Sequence, residues 1–148
     1  MTSVLSLGSN LGDRMAHLRL GLSLLDAAAV SPVYETAPWG DEDQQAFLNV
    51  VALVPYDAAE AWRRAVAAET AAGRVRTRTW GPRTLDVDVV WADGSDPDLV
   101  LPHPLAHERA FVLVPWLDVD PEAVLPGHGP VSQIDVDRSG VHLFTEVL

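Results

Sequence analysis

Asp86 and Asp88 stand two residues apart in the segment Thr84-Leu-Asp-Val-Asp-Val-Val90. Side chains alternate across a strand, so Leu85, Val87 and Val89 would share one face and the two aspartates the other. Two carboxylates about 7 Å apart along one face repel each other unless a cation sits between them. Mg²⁺ suits such a pair, since it takes hard oxygen ligands, commonly one or two carboxylates with water and phosphate. Solvated strand faces also carry Asp-x-Asp, so the neighbourhood has to decide. Immediately upstream lies Arg74-Val-Arg-Thr-Arg-Thr-Trp-Gly-Pro-Arg83, an island holding four of the chain's ten arginines with no acidic residue between Thr70 and Leu85. Guanidinium forks match phosphate oxygens in pairs, and Trp80 offers a face to a base or another guanidinium. Taken alone, these arginines could equally pair with carboxylates nearby. Beside the aspartate pair, the metal and phosphate readings support one another.

Other polar residues stand where chemistry or structure could use them. Asn49 lies inside the apolar run Phe47–Val54, on the same face as Phe47. A buried amide must be hydrogen-bonded, either as a crosslink or as a reader of a polar ligand. Glu69 falls on the apolar stripe of a helical segment close to the arginine island, where pairing with an arginine is the plain expectation. Pro102-His103-Pro104 and Arg109-Ala-Phe111 gather a histidine, an arginine and an aromatic near prolines, and read alone they are turn and core residues. His17, His128 and His142 show no ligand-like spacing.

The elements that must position these groups follow from pattern. Val4–Leu7 reads as a strand ending in the turn cluster Gly8-Ser9-Asn10. Asp13 can cap a helix whose Met15, Leu18, Leu22 and Leu25 recur at helical spacing. Val30–Thr36 and Phe47–Val54 read as strands, with Ala37–Gln45 between them. Asp57 and Glu60 resemble a capping box. The helix behind them places Ala58, Ala61, Trp62, Ala65 and Val66 on one stripe and stops at Gly73. Leu85–Trp91 is a further strand. Beyond Leu101, prolines interrupt every pattern. The order strand-helix-strand-strand-helix-strand predicts an α+β sandwich, a sheet with two helices packed on one face.

Composition sets the bounds. The 148 residues carry 48% hydrophobic and 21% charged side chains, the range of an ordinary globular protein with a core, and suffice for a single domain spanning 1–148. No apolar run approaches the ~20 residues that cross a bilayer. The start Met1-Thr-Ser-Val-Leu has no signal-peptide pattern, and cysteine is absent, so a cytoplasmic protein is expected. The net charge of −11 argues against nonspecific nucleic-acid or anionic-membrane binding. All ten basic residues are arginine, which excludes a P-loop lysine and lysine Schiff-base chemistry.

Four blocks of residues then resemble one family, the 6-hydroxymethyl-7,8-dihydropterin pyrophosphokinases of folate synthesis. They are Leu7-Gly-Ser-Asn-Leu-Gly12, Tyr34–Gly40 leading to Phe47-Leu-Asn49, Gly73–Arg76 through Arg78–Asp88, and Leu101-Pro-His103 through Arg109–Pro115. The resemblance runs from Val4 to about Pro126. It implies a ferredoxin-like βαββαβ fold, an antiparallel sheet with helices on one face. It also implies transfer of the diphosphate of ATP to the pterin hydroxymethyl group, releasing AMP.

Carried over, Asp86 and Asp88 would hold two Mg²⁺ ions. Arg74, Arg76 and Arg83 would stabilise the phosphates, Arg74 and Arg76 from a mobile loop. ATP would meet Glu69, Arg76, Trp80, Arg83, Val89, His103 and Arg109. The pterin would lie between Phe47 and Phe111, read by Asn49, with Gly8, Thr36, Ala37, Pro38 and Asp86 around it. The resemblance implies no nucleic-acid or membrane partner, and a monomer is expected. The chain departs from the family at several positions. Phe47 stands where tyrosine is frequent, Ala37 where proline is, Thr79 where arginine precedes Trp80, and Trp39 is bulkier than the usual aliphatic residue. Asp98–Pro102 lacks the usual basic and hydroxyl residues, so weaker ATP binding is expected, and the tail after Pro126 has no clear match. Rival readings are a nucleotidyltransferase using the same aspartates and arginines, an inactive paralogue, and an RNA-binding module. The last is disfavoured because the basic residues lie in a loop, not among aromatics on the strands.

Overall fold

The computed structural model describes residues 2–37, 45–73, 84–146 and 148. Strand β1 (Ser3–Ser9) leads into helix α1 (Arg14–Leu25), followed by the short β2 (Ala29–Val30), β3 (Val33–Thr36) and β4 (Phe47–Val54). Helix α2 (Ala58–Ala71) and strand β5 (Asp86–Ala92) come next, then a 3₁₀ turn at Ala106–Glu108 and helix α3 (Ala110–Val119). The chain closes with β6 (Val124–Leu125), β7 (Gly129–Pro130), a 3₁₀ turn at Val131–Gln133 and β8 (Val141–Thr145).

The main sheet runs β5-β1-β4-β3-β8, with β2 also on β4 and every pair antiparallel. Its first four strands have the order of a ferredoxin-like βαββαβ sheet, as expected, and β8 extends that sheet beyond β3. The segment read as one strand over Val30–Thr36 is instead two, separated at Ser31-Pro32, because Pro32 cannot donate to a ladder. Ser31 Oγ accepts from Val51 N at 2.9 Å and so ties the break to β4.

Period-two alternation gives the sheet two different faces. Leu5, Leu7, Leu48, Val50, Ala52, Val54, Val87 and Val89 point to one side and pack with Leu18 and Leu25 of α1 and with Ala58, Ala61, Ala65 and Ala68 of α2. The small residues of α2 let helix and sheet approach closely. Val66, expected on that stripe, is 41% exposed, since the packed row runs through the alanines instead. The opposite face carries Val4, Val51 and Val90, covered by Val112, Leu113 and Trp116 of α3. This third helix was hidden in the sequence by Pro115, which removes an interior hydrogen bond. Burial of an apolar segment against the sheet outweighs that loss.

The caps behave as their residue types dictate. Asp13 accepts from Ala16 N and Asp57 from Glu60 N, each at 3.1 Å. Only half of the capping box forms, because Glu60 turns its carboxylate to Arg63 and Arg64, the latter at 2.8 Å. Gly73 follows the C-cap of α2 with φ +70, a conformation glycine adopts at little cost. Asp57→Ala should therefore lower stability by about 1 kcal/mol, read as a shift in the denaturant midpoint with unchanged slope.

Candidate active site

The α3 side of the sheet is not fully filled. Toward one end, a cavity of about 350 Å³ opens between the sheet and the start of α3. Its floor is set by ladder register. Gly8 of β1 lies between Asn49 of β4 and Asp86 of β5, and one row deeper Ser6 lies opposite Asp88. Thr36, Ala37 and Phe47 form one wall, and Leu105, Glu108, Arg109 and Phe111 the other.

Asn49 is 3% exposed. Its Nδ2 donates to Thr36 Oγ1 at 2.8 Å, which fixes the amide and leaves Oδ1 and a second N–H for another partner. A Cβ on Gly8 would come within 2.9 Å of that Oδ1, so only glycine leaves room for the amide to lie across the row. Arg109 NH1 reaches Asp88 Oδ2 at 3.3 Å and its guanidinium lies 5.5 Å from the centre of the Phe111 ring. The cavity thus holds two strand carboxylates, one cation beside them and two half-buried aromatic rings from different layers. Arg109 at the N-cap of α3 and Phe111 in its first turn line the cavity, and a helix N-terminal end favours anions.

His103 stands just outside the cavity lining. Its backbone N–H donates to Val90 O at 2.8 Å, where β1 and β5 slip register, and Nδ1 accepts from Leu105 N at 3.2 Å. Burial first, and Arg109 second, hold the imidazole below its ordinary value, against the opposing pull of Asp86.

Of the residues expected from the sequence, Gly8, Thr36, Ala37, Phe47, Asn49, Asp86, Asp88, Arg109 and Phe111 come together around this one cavity. Glu69 and Val89 do not line it. Val89 is 3% exposed in the core on the α1–α2 side, so its side chain faces away, and any contact with a ligand would have to use its backbone. Glu69 accepts from Val87 N at 2.9 Å, capping a donor on the outer edge of β5. Pro38, Arg74, Arg76, Trp80 and Arg83 lie outside the described residues.

Ser6, Leu105 and Glu108 line the cavity without having been singled out. For Ser6 the sequence does hold a signal: a hydroxyl two residues before Gly8, inside an apolar strand and on the same face. Leu105 and Glu108 had none, because the proline-rich segment around them has no period to read.

A family model for 7,8-dihydro-6-hydroxymethylpterin-pyrophosphokinase matches residues 4–121. Among curated relatives, the 2-amino-4-hydroxy-6-hydroxymethyldihydropteridine pyrophosphokinase of Mycobacterium bovis is 46% identical over 95% of this chain and 88% of its own length. Those of Mycobacterium leprae (45%, 95% of this chain and 87% of the relative) and Bacillus subtilis (33%, 96% and 89%) carry the same name. With most of both chains aligned and the cavity built from the blocks that carry the likeness, this chain belongs to the 7,8-dihydro-6-hydroxymethylpterin-pyrophosphokinase family.

Proposed function

We propose that this chain transfers the diphosphate of ATP to the hydroxymethyl group of 6-hydroxymethyl-7,8-dihydropterin, giving AMP and the pterin diphosphate, a step of folate synthesis. The observation that carries the reading is the single cavity that joins Asn49, two aromatic rings and the aspartate pair. The pterin stacks between Phe47 and Phe111, and the Asn49 amide, held by Thr36, reads its polar edge. Phe47 has no hydroxyl to add to that edge, so stacking and Asn49 carry recognition on that wall.

The donor set suits Mg²⁺. Asp86 and Asp88 offer hard oxygens on one strand face, and among the described residues no third acid or histidine joins them in a metal-ligand cluster. Water and phosphate would complete the coordination, as Mg²⁺ usually takes them. Bound there, two Mg²⁺ ions would neutralise the triphosphate and lower the proton affinity of the attacking hydroxyl. The protein's own part is orientation: Asp86 lies in the Gly8–Asn49 row where the pterin rests, and Asp88 lies one row deeper beside Arg109. Arg109 turns from Asp88 to the phosphates when ATP arrives, joined by His103 and by Arg74, Arg76 and Arg83. Trp80, Glu69 and the Val89 backbone complete the nucleotide side. The enzyme works as a cytoplasmic monomer.

Incubation with Mg²⁺-ATP and 6-hydroxymethyl-7,8-dihydropterin should yield AMP and pterin diphosphate in equal amounts; release of ADP, or adenylylated pterin, would overturn the reaction class. Asp88→Ala should abolish turnover with circular dichroism unchanged, and near-normal activity in that variant would sink the metal assignment. Arg109→Met should raise the His103 pKa, because the guanidinium's contribution lowers it. An NMR titration of the imidazole protons reads that shift, and no upward movement would contradict it.

A further inference from the structure

Thr36 and Phe47 form the last pair of the β3–β4 ladder, and both line the cavity. No further rung fixes their spacing, yet stacking on Phe47 and hydrogen bonding through Thr36 and Asn49 depend on it. The layer behind the sheet supplies what the ladder lacks. Arg14, the first residue of α1, donates through NH1 to Ala46 O at 2.9 Å and to Glu35 Oε2 at 3.2 Å. Ala46 immediately precedes Phe47, and Glu35 immediately precedes Thr36. By alternation the Glu35 side chain points to the face opposite Thr36, so Arg14 reaches both strand ends from the helix side.

The Arg14 end of the contact is sheltered, and Glu35 is the more exposed end. The Arg14 side chain is 18% exposed, and its guanidinium lies 5.7 Å from the centre of the Phe144 ring of β8, within cation–π range. β8 is the strand that pairs along β3, so it brings Phe144 beside the clasp. A second tie sits beside it: Asn10 Nδ2 donates to Gln45 O at 3.2 Å, and Gln45 Nε2 to Asn10 O at 3.4 Å. Charge-assisted bonds shielded from water hold geometry more firmly than neutral exposed ones.

We infer that Arg14 is a positioning residue for the pterin, clasping the ends of β3 and β4 from behind the sheet so that Phe47 and Thr36 keep the spacing a flat ring needs. The inference rests on the proposed pterin site. It places Arg14 outside contact with either substrate, so its removal acts on pterin affinity and spares the ATP side. An arginine that served only the fold would change thermal stability and leave the balance between the two substrates untouched.

The experiment compares Arg14→Met, Arg14→Lys, Glu35→Gln and Asn49→Ala with the parent enzyme in pterin Kd, the KM of each substrate, kcat and melting temperature. For Arg14→Met, which loses both bonds, pterin Kd and KM should rise about tenfold, the weight of a single charge-assisted bond passed on to the site, while kcat and the KM for ATP stay within about twofold. Arg14→Lys, which keeps a cationic donor for both oxygens, should recover most of the affinity. Unchanged pterin affinity in a folded Arg14→Met, alongside weakened binding in Asn49→Ala, overturns the clasp and leaves the pterin site standing. Unchanged affinity in both variants overturns the site itself and the inference with it. Should Arg14→Met fail to fold, Glu35→Gln decides, since that side chain is 41% exposed and its loss is tolerable; a pterin KM identical to the parent's would then reject the inference.

Discussion

Gly8 sits in the central strand of the sheet, between Asn49 on one neighbour and Asp86 on the other. A side chain there would strike the Asn49 oxygen, so the row that forms the cavity floor exists because its middle position is empty. β1 is buried along its whole length and cannot shift to relieve such a clash. The Asn49 amide lying across the floor thus depends on one missing methyl in a strand pinned from both sides.

Around that strand the two faces of the sheet divide the work. The face toward α1 and α2 is filled by leucines, valines and alanines and carries most of the packing. The face toward α3 is filled only in part, and where filling stops the polar residues begin. Strand ends and edges, where such a site must lie, leave donors and acceptors that need partners. Glu69 takes the N–H of Val87, His103 donates to Val90 O, and Arg14 takes Ala46 O. Glu69 and Arg14 thereby secure backbone next to cavity residues, Val87 between Asp86 and Asp88 and Ala46 beside Phe47, so satisfying these edges also aligns the site.

Electrostatics follows the same plan. A chain of net charge −11 would repel a triphosphate, and the cavity itself holds Asp86, Asp88 and Glu108. Arg109 beside Asp88 and the start of α3 offset that charge locally, and the arginines of the 74–83 segment stand next to it in sequence. Burial and Arg109 hold His103 below its ordinary value, which favours the neutral imidazole in that position.

How much of this was legible before folding can be read from particular residues. Alternation in Leu85–Val89 put both aspartates on one face, and the same rule put Phe47 with Asn49, because a strand's side-chain period is fixed by its backbone. Caps at Asp13 and Asp57 and the glycine at 73 were equally plain, since capping is local chemistry. Fold class followed from element order. The third helix was not legible, because Pro115 broke the pattern and only the bare face of the sheet repays burying that segment. Nor could sequence foresee that β8 would join β3, or that Arg14 would clasp two strand ends 21 and 32 residues away. Periodicity determines which side chains share a face. Which face is covered, which is left open, and what reaches a strand end from another layer are decided only when distant segments compete for the same apolar surface.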